Sequence, residues 1–458
     1  MNLEALTGRE IEQKAGTLIS NLSEIQRRYS ETIESTRNQG HSAFTFRYPK
    51  TFFSSDLTNV IKPGQGLLYF LIVDGEVWSL LVLENLQMNL RHHSLSAKDA
   101  NSKIERLRSL DQFNFSDPVI EASESAARDR TAKELYDLLL RPREAALASL
   151  SRLLIVPDGP LHLLPWGSLI RDDTQSSDAG PHYLTGWKSI HLVLSGTVYA
   201  ELQKSRHRPE EVNAALSLVA FADPKYSVEG PEEKSEGMAD RRSRSTVRPH
   251  RFNWQPLLFS RQEVEGIARL FPSDRTKVYL GEEATEEHAK TIGDVAQIIH
   301  FATHAHLDDR FPLNSALVLS TPESLVGDRE NGLLQVWEIF ERVRWHADLV
   351  VLSACETALG EEQGGEGLLG LTRAFQYAGA RSVLASLWSV NDQATSELMI
   401  RFYKHLLAGL PKDQALQAAQ QELIRGPIEV TNDKGERVLK DFSAPYYWAG
   451  FQLYGDWQ

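Results

Sequence analysis

The chain has 458 residues, more than one hydrophobic core usually serves, so two or three domains or subdomains are expected. Hydrophobic residues make up 41% and charged residues 24%, the balance of a globular protein rather than a disordered or fibrous one. The formal net charge of −13 argues against a protein that grips nucleic acid through its phosphates, and no apolar run reaches the roughly 20 residues of a membrane span.

Met1-Asn2-Leu3-Glu4-Ala5 has neither the basic start nor the apolar core of a signal peptide. One cysteine in the whole sequence excludes internal disulfides and multi-cysteine zinc sites, and a cytoplasmic setting is expected.

Residues 7–36 read as an amphipathic helix. Thr7 with Glu10 forms a capping box, and Ile11, Ala15, Leu18, Leu22, Ile25, Tyr29 and Ile33 recur at three- and four-residue steps. That stripe either packs on the protein's own body or docks a protein partner, an activating one included. Leu67–Val73, Asp74-Gly75 and Val77–Leu83 form a hairpin pattern. A charged helical stretch follows over roughly 97–150. The run Leu153–Val156 is a buried strand stopped by Pro157-Asp158-Gly159-Pro160, and Ile190–Leu194 is another. Leu216–Phe221 opens a second α/β block after the charged connector Ser205–Glu211. Residues 225–251, rich in Pro, Glu, Lys, Ser and Arg, are expected to stay mobile. A helix starts near Phe259. Strands then alternate with helices at Val278–Leu280, Gln297–Ala302, Ala316–Ser320, Asp348–Ser353 and Arg381–Leu387. That alternation predicts an α/β fold, a mostly parallel sheet flanked by helices.

Two of these strands end in chemistry. The apolar run Ile298–Ala302 leads to His304, and Leu349–Leu352 leads to Cys355, 355 − 304 = 51 residues later. Ligands of open α/β sheets bind beyond the carboxyl ends of the strands, so imidazole and thiol are expected above one sheet edge. A thiol is only slightly ionised at neutral pH and needs a neighbouring imidazole to become a nucleophile. His before Cys at about this spacing is the order of caspase-type proteases. The backbone amides of Ala305 and Cys355 are the expected oxyanion donors. Gly360 and Gly364-Gly365-Glu366-Gly367 read as an open loop for substrate entry. Taken singly, a strand-end cysteine is a small buried hydrophobe and a strand-end histidine is structural. His300 and His306 compete with His304 for the role, but no Asp/Glu/His set at helical spacing supports a metal site, and no cofactor is expected.

The segments Phe301-Ala302-Thr303-His304 and Leu352-Ser353-Ala354-Cys355-Glu356-Thr357 resemble the CHAT domain, a caspase- and separase-like cysteine peptidase domain of the caspase/gingipain/legumain clan. So do Leu154–His162 with Leu164-Pro165-Trp166, Gly281–Thr285, Ala385–Asp392 and Tyr446–Phe451. The resemblance covers roughly residues 60–455. It implies a pseudo-protease half over 60–211 and an active caspase-like half over 212–458, after the N-terminal helical segment over 1–59 that the apolar stripe marks. Ala305 departs from the glycine usual after the catalytic histidine, and the tetratricopeptide repeats common in the family are not seen in the sequence.

The resemblance further implies that Asp392 receives an arginine preceding the cut bond, as in the similar separase loop; helix capping is the competing role for this residue. Glu361, Glu362 and Glu366 would either add acidic character or form a solvated loop face. The implied function is a cysteine endopeptidase acting on a partner protein after Arg or Lys, in bacterial defence or cell death as for relatives, without direct contact with nucleic acid or membrane. The alternatives are a catalytically silent scaffold and an acyltransferase or other thiol hydrolase on the same dyad. If the chain is an arginine-directed peptidase, Arg241, Arg242, Arg244, Arg248 and Arg251 are expected self-cleavage targets; a solvated linker is the competing reading.

Overall fold

The computed structural model describes residues 60–84, 86–112, 118–171, 181–205, 215–226, 254–321, 331–353, 355–356, 365–432 and 435–458. The expected helix over 7–36, nearly all of the Arg-rich stretch, and Glu361 and Glu362 lie outside the described residues.

Strands β1 (Gln65–Val73) and β2 (Glu76–Leu83) form the expected hairpin. Asp74 and Gly75 both take positive φ, 52° and 78°, as a tight two-residue turn between twisted strands requires. Strand β3 (Met88–Ser96) extends this hairpin at the sheet edge. Its polar sequence hid it: as an edge strand it is mostly exposed and lacks an apolar run.

Helices α1 (Ala97–Gln112) and α2 (Pro118–Leu139) follow. Next come β4 (Arg152–Val156), β5 (Ser189–Leu192), α3 (Gly196–Ser205), β6 (Leu216–Ala222), α4 (Ser260–Ala268), β7 (Thr276–Leu280) and β8 (Ala296–Ala302). Short strands β9 (His304–His306), β10 (Ala316–Val318) and β11 (Leu333–Gln335) lead to α5 (Val336–Arg342). The chain closes with β12 (Leu349–Leu352), β13 (Cys355–Glu356), α6 (Glu366–Ala378), β14 (Ser382–Ser386), α7 (Asp392–Leu407), α8 (Lys412–Ile424), the hairpin β15 (Ile428–Thr431) and β16 (Arg437–Lys440), and β17 (Phe451–Gly455).

Eleven strands make one sheet in the order β3-β2-β1-β4-β5-β17-β14-β12-β8-β6-β7. Strands β1, β4, β5 and β17 are mutually parallel, as are β14, β12, β8, β6 and β7. The two blocks meet antiparallel at β17 and β14, so a strand from the C-terminal end seats between earlier and later halves. The mostly parallel, helix-flanked sheet agrees with the sequence reading.

Alternation along β8 shows how both faces are covered. His300 meets Glu263 of α4 and Tyr403 of α7 on one face. Its neighbour Phe301 stacks on Trp345 and on Phe375 of α6. Phe301 is fully buried, and removing such a side chain from water stabilises the fold by roughly 1.5–3 kcal/mol.

A second sheet, in the order β11-β10-β9-β13, lies beyond the ends of β8 and β12. Strand β9 starts two residues after β8 ends, and β13 starts three residues after β12 ends. Both chains therefore pass from the large sheet into the small one, carrying the strand-end residues with them.

Candidate active site

Cys355 and His304 are register partners on the parallel strands β13 and β9. Neighbouring strands lie about 4.8 Å apart, and registered partners occupy the same face. The two positions separated by 51 residues are thus side by side, through the backbone alone.

His304 is 6% exposed. Its Nε2 lies 2.6 Å from the carbonyl oxygen of Gln255. A carbonyl only accepts, so Nε2 carries the proton and donates it there. In that tautomer Nδ1 bears the lone pair, and it has no hydrogen-bond partner among the described residues. Burial pushes the imidazole below its ordinary pKa, partly offset by the Gln255 bond, which favours the protonated form. The ring is consequently neutral at pH 7 and able to accept a proton.

The rings of Tyr226 and Trp254 lie 5.4 Å and 5.3 Å from the His304 ring. Both also pack on Ala316, Val318 and Leu333, the apolar row of the small sheet. They hold the imidazole laterally while the Gln255 carbonyl fixes its rotation.

The same segment reaches Asp392. Its Oδ2 accepts the Phe259 backbone amide at 2.5 Å. Trp254–Phe259 is therefore fastened to His304 at one end and to Asp392 at the other. Asn391, not Asp392, caps α7, its side chain accepting from the Ala394 amide at 3.0 Å. Asp392 is the first helical residue, where a carboxylate also favours the helix dipole. Burial, with a smaller push from Glu263, raises its carboxyl to about 6, against the lowering effect of the Phe259 bond.

The other sequence candidates are placed as follows. Ala305 is the middle residue of β9, registered with Leu317 on one side and Glu356 on the other. Its φ is not positive, so alanine meets no backbone strain there. Glu366 opens α6. His300 bonds Glu263 at 2.9 Å and the Tyr403 hydroxyl at 3.1 Å, which uses both ring nitrogens inside the core. His306 lies two residues beyond His304 with its ring 6.5 Å from that of Trp254.

The reading of the glycine run as an open loop needs correction where it is described. Gly365 takes φ 77°, and a Cβ there would meet Leu163 at 2.3 Å. A Cβ on Gly367 would come within 2.9 Å of Ser315 Oγ and 3.0 Å of Leu307 Cβ. These glycines serve close packing of α6 on its neighbours.

Several contributors left no sequence signal. The Gln255 carbonyl is a backbone group and any residue could supply it. Arg108 of α1, 3% exposed, donates to the Leu387 carbonyl at 3.0 Å and so steadies the turn from β14 to α7. Trp254 had a faint signal, the return of aromatic residues after the Arg-rich stretch.

The CHAT domain family model matches residues 129–456. Tetratricopeptide repeat protein 28 of Homo sapiens is 26% identical over 358 residues, covering 70% of this chain. The Mus musculus protein of the same name is 26% identical over 367 residues. This chain spans only 13% of the length of each. Two structures of the Saccharomyces cerevisiae separase–securin complex superpose with TM-scores of 0.51 and 0.52 at 10% and 9% identity. They cover 88% of this chain and about a third of the separase chain, 30% and 31%, so the fold is shared with separase. With most of its length under the family model, the chain belongs to the CHAT domain family.

Proposed function

We propose that the protein is a cysteine endopeptidase using His304 and Cys355. The observation that carries this reading is the register of Cys355 with a histidine whose Nδ1 is buried without a hydrogen-bond partner among the described residues. In the reaction, Nδ1 of His304 takes the Cys355 thiol proton and the thiolate attacks the peptide carbonyl. The imidazolium then protonates the leaving amine, and water resolves the acyl-enzyme. Gln255 holds the imidazole in orientation throughout, as a third group does in other nucleophile–base pairs. The backbone amides of Ala305 and Cys355 are the proposed oxyanion donors. Asp392 is the proposed receptor for an Arg or Lys before the cut bond, its partly ionised carboxylate matching a guanidinium. Residues 60–211 would act as a pseudo-protease half that supports the active half. A partner protein would serve as substrate or activator, and a defence or cell-death role follows the family resemblance.

The burial of His304 favours a second reading, a scaffold in which the dyad is silent. Labelling with a peptidyl-arginine electrophile that captures thiolates separates the two. The peptidase reading expects stoichiometric modification of Cys355, strongly reduced in His304→Ala. A thiol that reacts no faster than free cysteine in both proteins supports the scaffold.

A further inference from the structure

We infer that Asp309 is a positioning residue for the Cys355–His304 pair, a role that rests on the peptidase reading. Asp309 lies five residues after His304, on the chain leaving β9. Its Oδ1 accepts the Gly367 amide at 2.9 Å and its Oδ2 the Gly365 amide at 3.3 Å. Those amides open α6. Cys355 and Gly365 are ten residues apart in sequence, and both are fastened to the His304 chain. The first is held by strand register and the second by this carboxylate.

The loop that carries Asp309 is itself firm. The Asp308 amide donates to Ser315 Oγ at 2.9 Å, and Asp308 Oδ1 accepts the Phe311 amide at 2.8 Å. Gly367 seats so close that any side chain would strike Ser315 and Leu307. A carboxylate accepting two amides at a helix N-terminus also complements the positive end of the helix dipole. Without it, the amides that open α6 lose their acceptor on the chain bearing the base. The stretch that begins at Cys355 is then tied to that chain by strand register alone, which leaves the thiol less well placed for proton transfer. Displacements of about 1 Å in such constellations cost up to about 100-fold in rate.

The test uses the fact that Cys355 is the only cysteine. The rate of iodoacetamide alkylation is measured against pH for the full-length wild type, Asp309→Ala, Asp309→Asn and His304→Ala, with thermal unfolding as a check on folding. Asp309→Ala is expected to slow alkylation at neutral pH by about ten- to 100-fold and to move its pH profile toward that of His304→Ala. Asp309→Asn keeps an acceptor for only one of the two amides and is expected to slow alkylation by an intermediate amount. A folded Asp309→Ala that alkylates like wild type while His304→Ala does not would overturn the inference. Should Asp309→Ala not fold, wild-type alkylation by Asp309→Leu, or by Asp309→Asn with one of its two amide bonds gone, would do the same. Identical profiles for wild type and His304→Ala would instead remove the dyad, and the inference with it.

Discussion

Cys355 and His304 are register partners, side by side where two parallel strands leave the large sheet for the small one. Their approach is thus fixed by backbone pairing, with β8 and β12 registered from Ile298–Leu349 through Phe301–Leu352 below them. A single-residue slip of that pairing would turn one of the two to the opposite face.

The pH dependence follows from the state of His304. Burial lowers its pKa below 6.5, so the neutral base is fully present at pH 7 and is lost only as the pH falls through that lowered value. The acid limb of Cys355 alkylation by a neutral electrophile should therefore have its midpoint below 6.5. His304→Ala should cost about 10²–10⁴-fold in kcat. An acid limb above the ordinary histidine value would contradict the assignment.

Asp392 can be tested for charge and for structure separately. Its carboxyl titrates at about 6 in the fold against 3.8 normally, so the unfolded chain ionises first. Stability from this group is fully present below pH 3.8 and falls as the pH rises to about 6. Asp392→Asn keeps an acceptor for the Phe259 amide and should fold as well as wild type at pH 7, while KM for Arg peptides rises sharply. Asp392→Ala leaves that amide without its acceptor, at a cost of about 1–3 kcal/mol, and should abolish cleavage after Arg or Lys. In the wild type, KM for Arg peptides should climb as the pH falls through about 6. Unchanged Arg cleavage by Asp392→Asn would sink the pocket.

Arg108 ties a helix of the earlier half to the turn that precedes Asp392. Arg108→Met should destabilise the protein by roughly 1–3 kcal/mol through the unsatisfied Leu387 carbonyl. It should also raise KM for basic peptides more than it lowers kcat. Denaturant unfolding and steady-state kinetics check both parts, and an unaltered KM would limit Arg108 to stability.

The Arg-rich stretch leaves the described chain at Tyr226 and returns at Trp254, and both of these rings lie against His304. Self-cleavage after one of its arginines is expected on prolonged incubation, seen as fragments by intact mass. Fragments equally present in Cys355→Ala would assign the cut to another protease.

Much of this was legible because it depends on local patterns. Apolar runs such as Ile298–Ala302 and Leu349–Leu352 marked buried parallel strands, and residues just past them marked the sheet edge. The Asp74-Gly75 turn declared its hairpin. What stayed hidden depends on tertiary partners. Polar β3 is a strand because β2 offers it a ladder, and β17 sits between β5 and β14 through pairing that no sequence period encodes. Backbone groups also carry no signature, so the Gln255 carbonyl and the Phe259 amide could not be foreseen. The Gly365 and Gly367 positions were visible but misread, since close packing and loop freedom select the same residue.

The most direct test of the central claim is cleavage of a fluorogenic peptide library, varied at the residue before the scissile bond, by wild type and Cys355→Ala. The account predicts turnover after Arg or Lys that vanishes in Cys355→Ala. Turnover that survives the loss of Cys355, or no turnover together with a Cys355 thiol as unreactive as free cysteine, would contradict it.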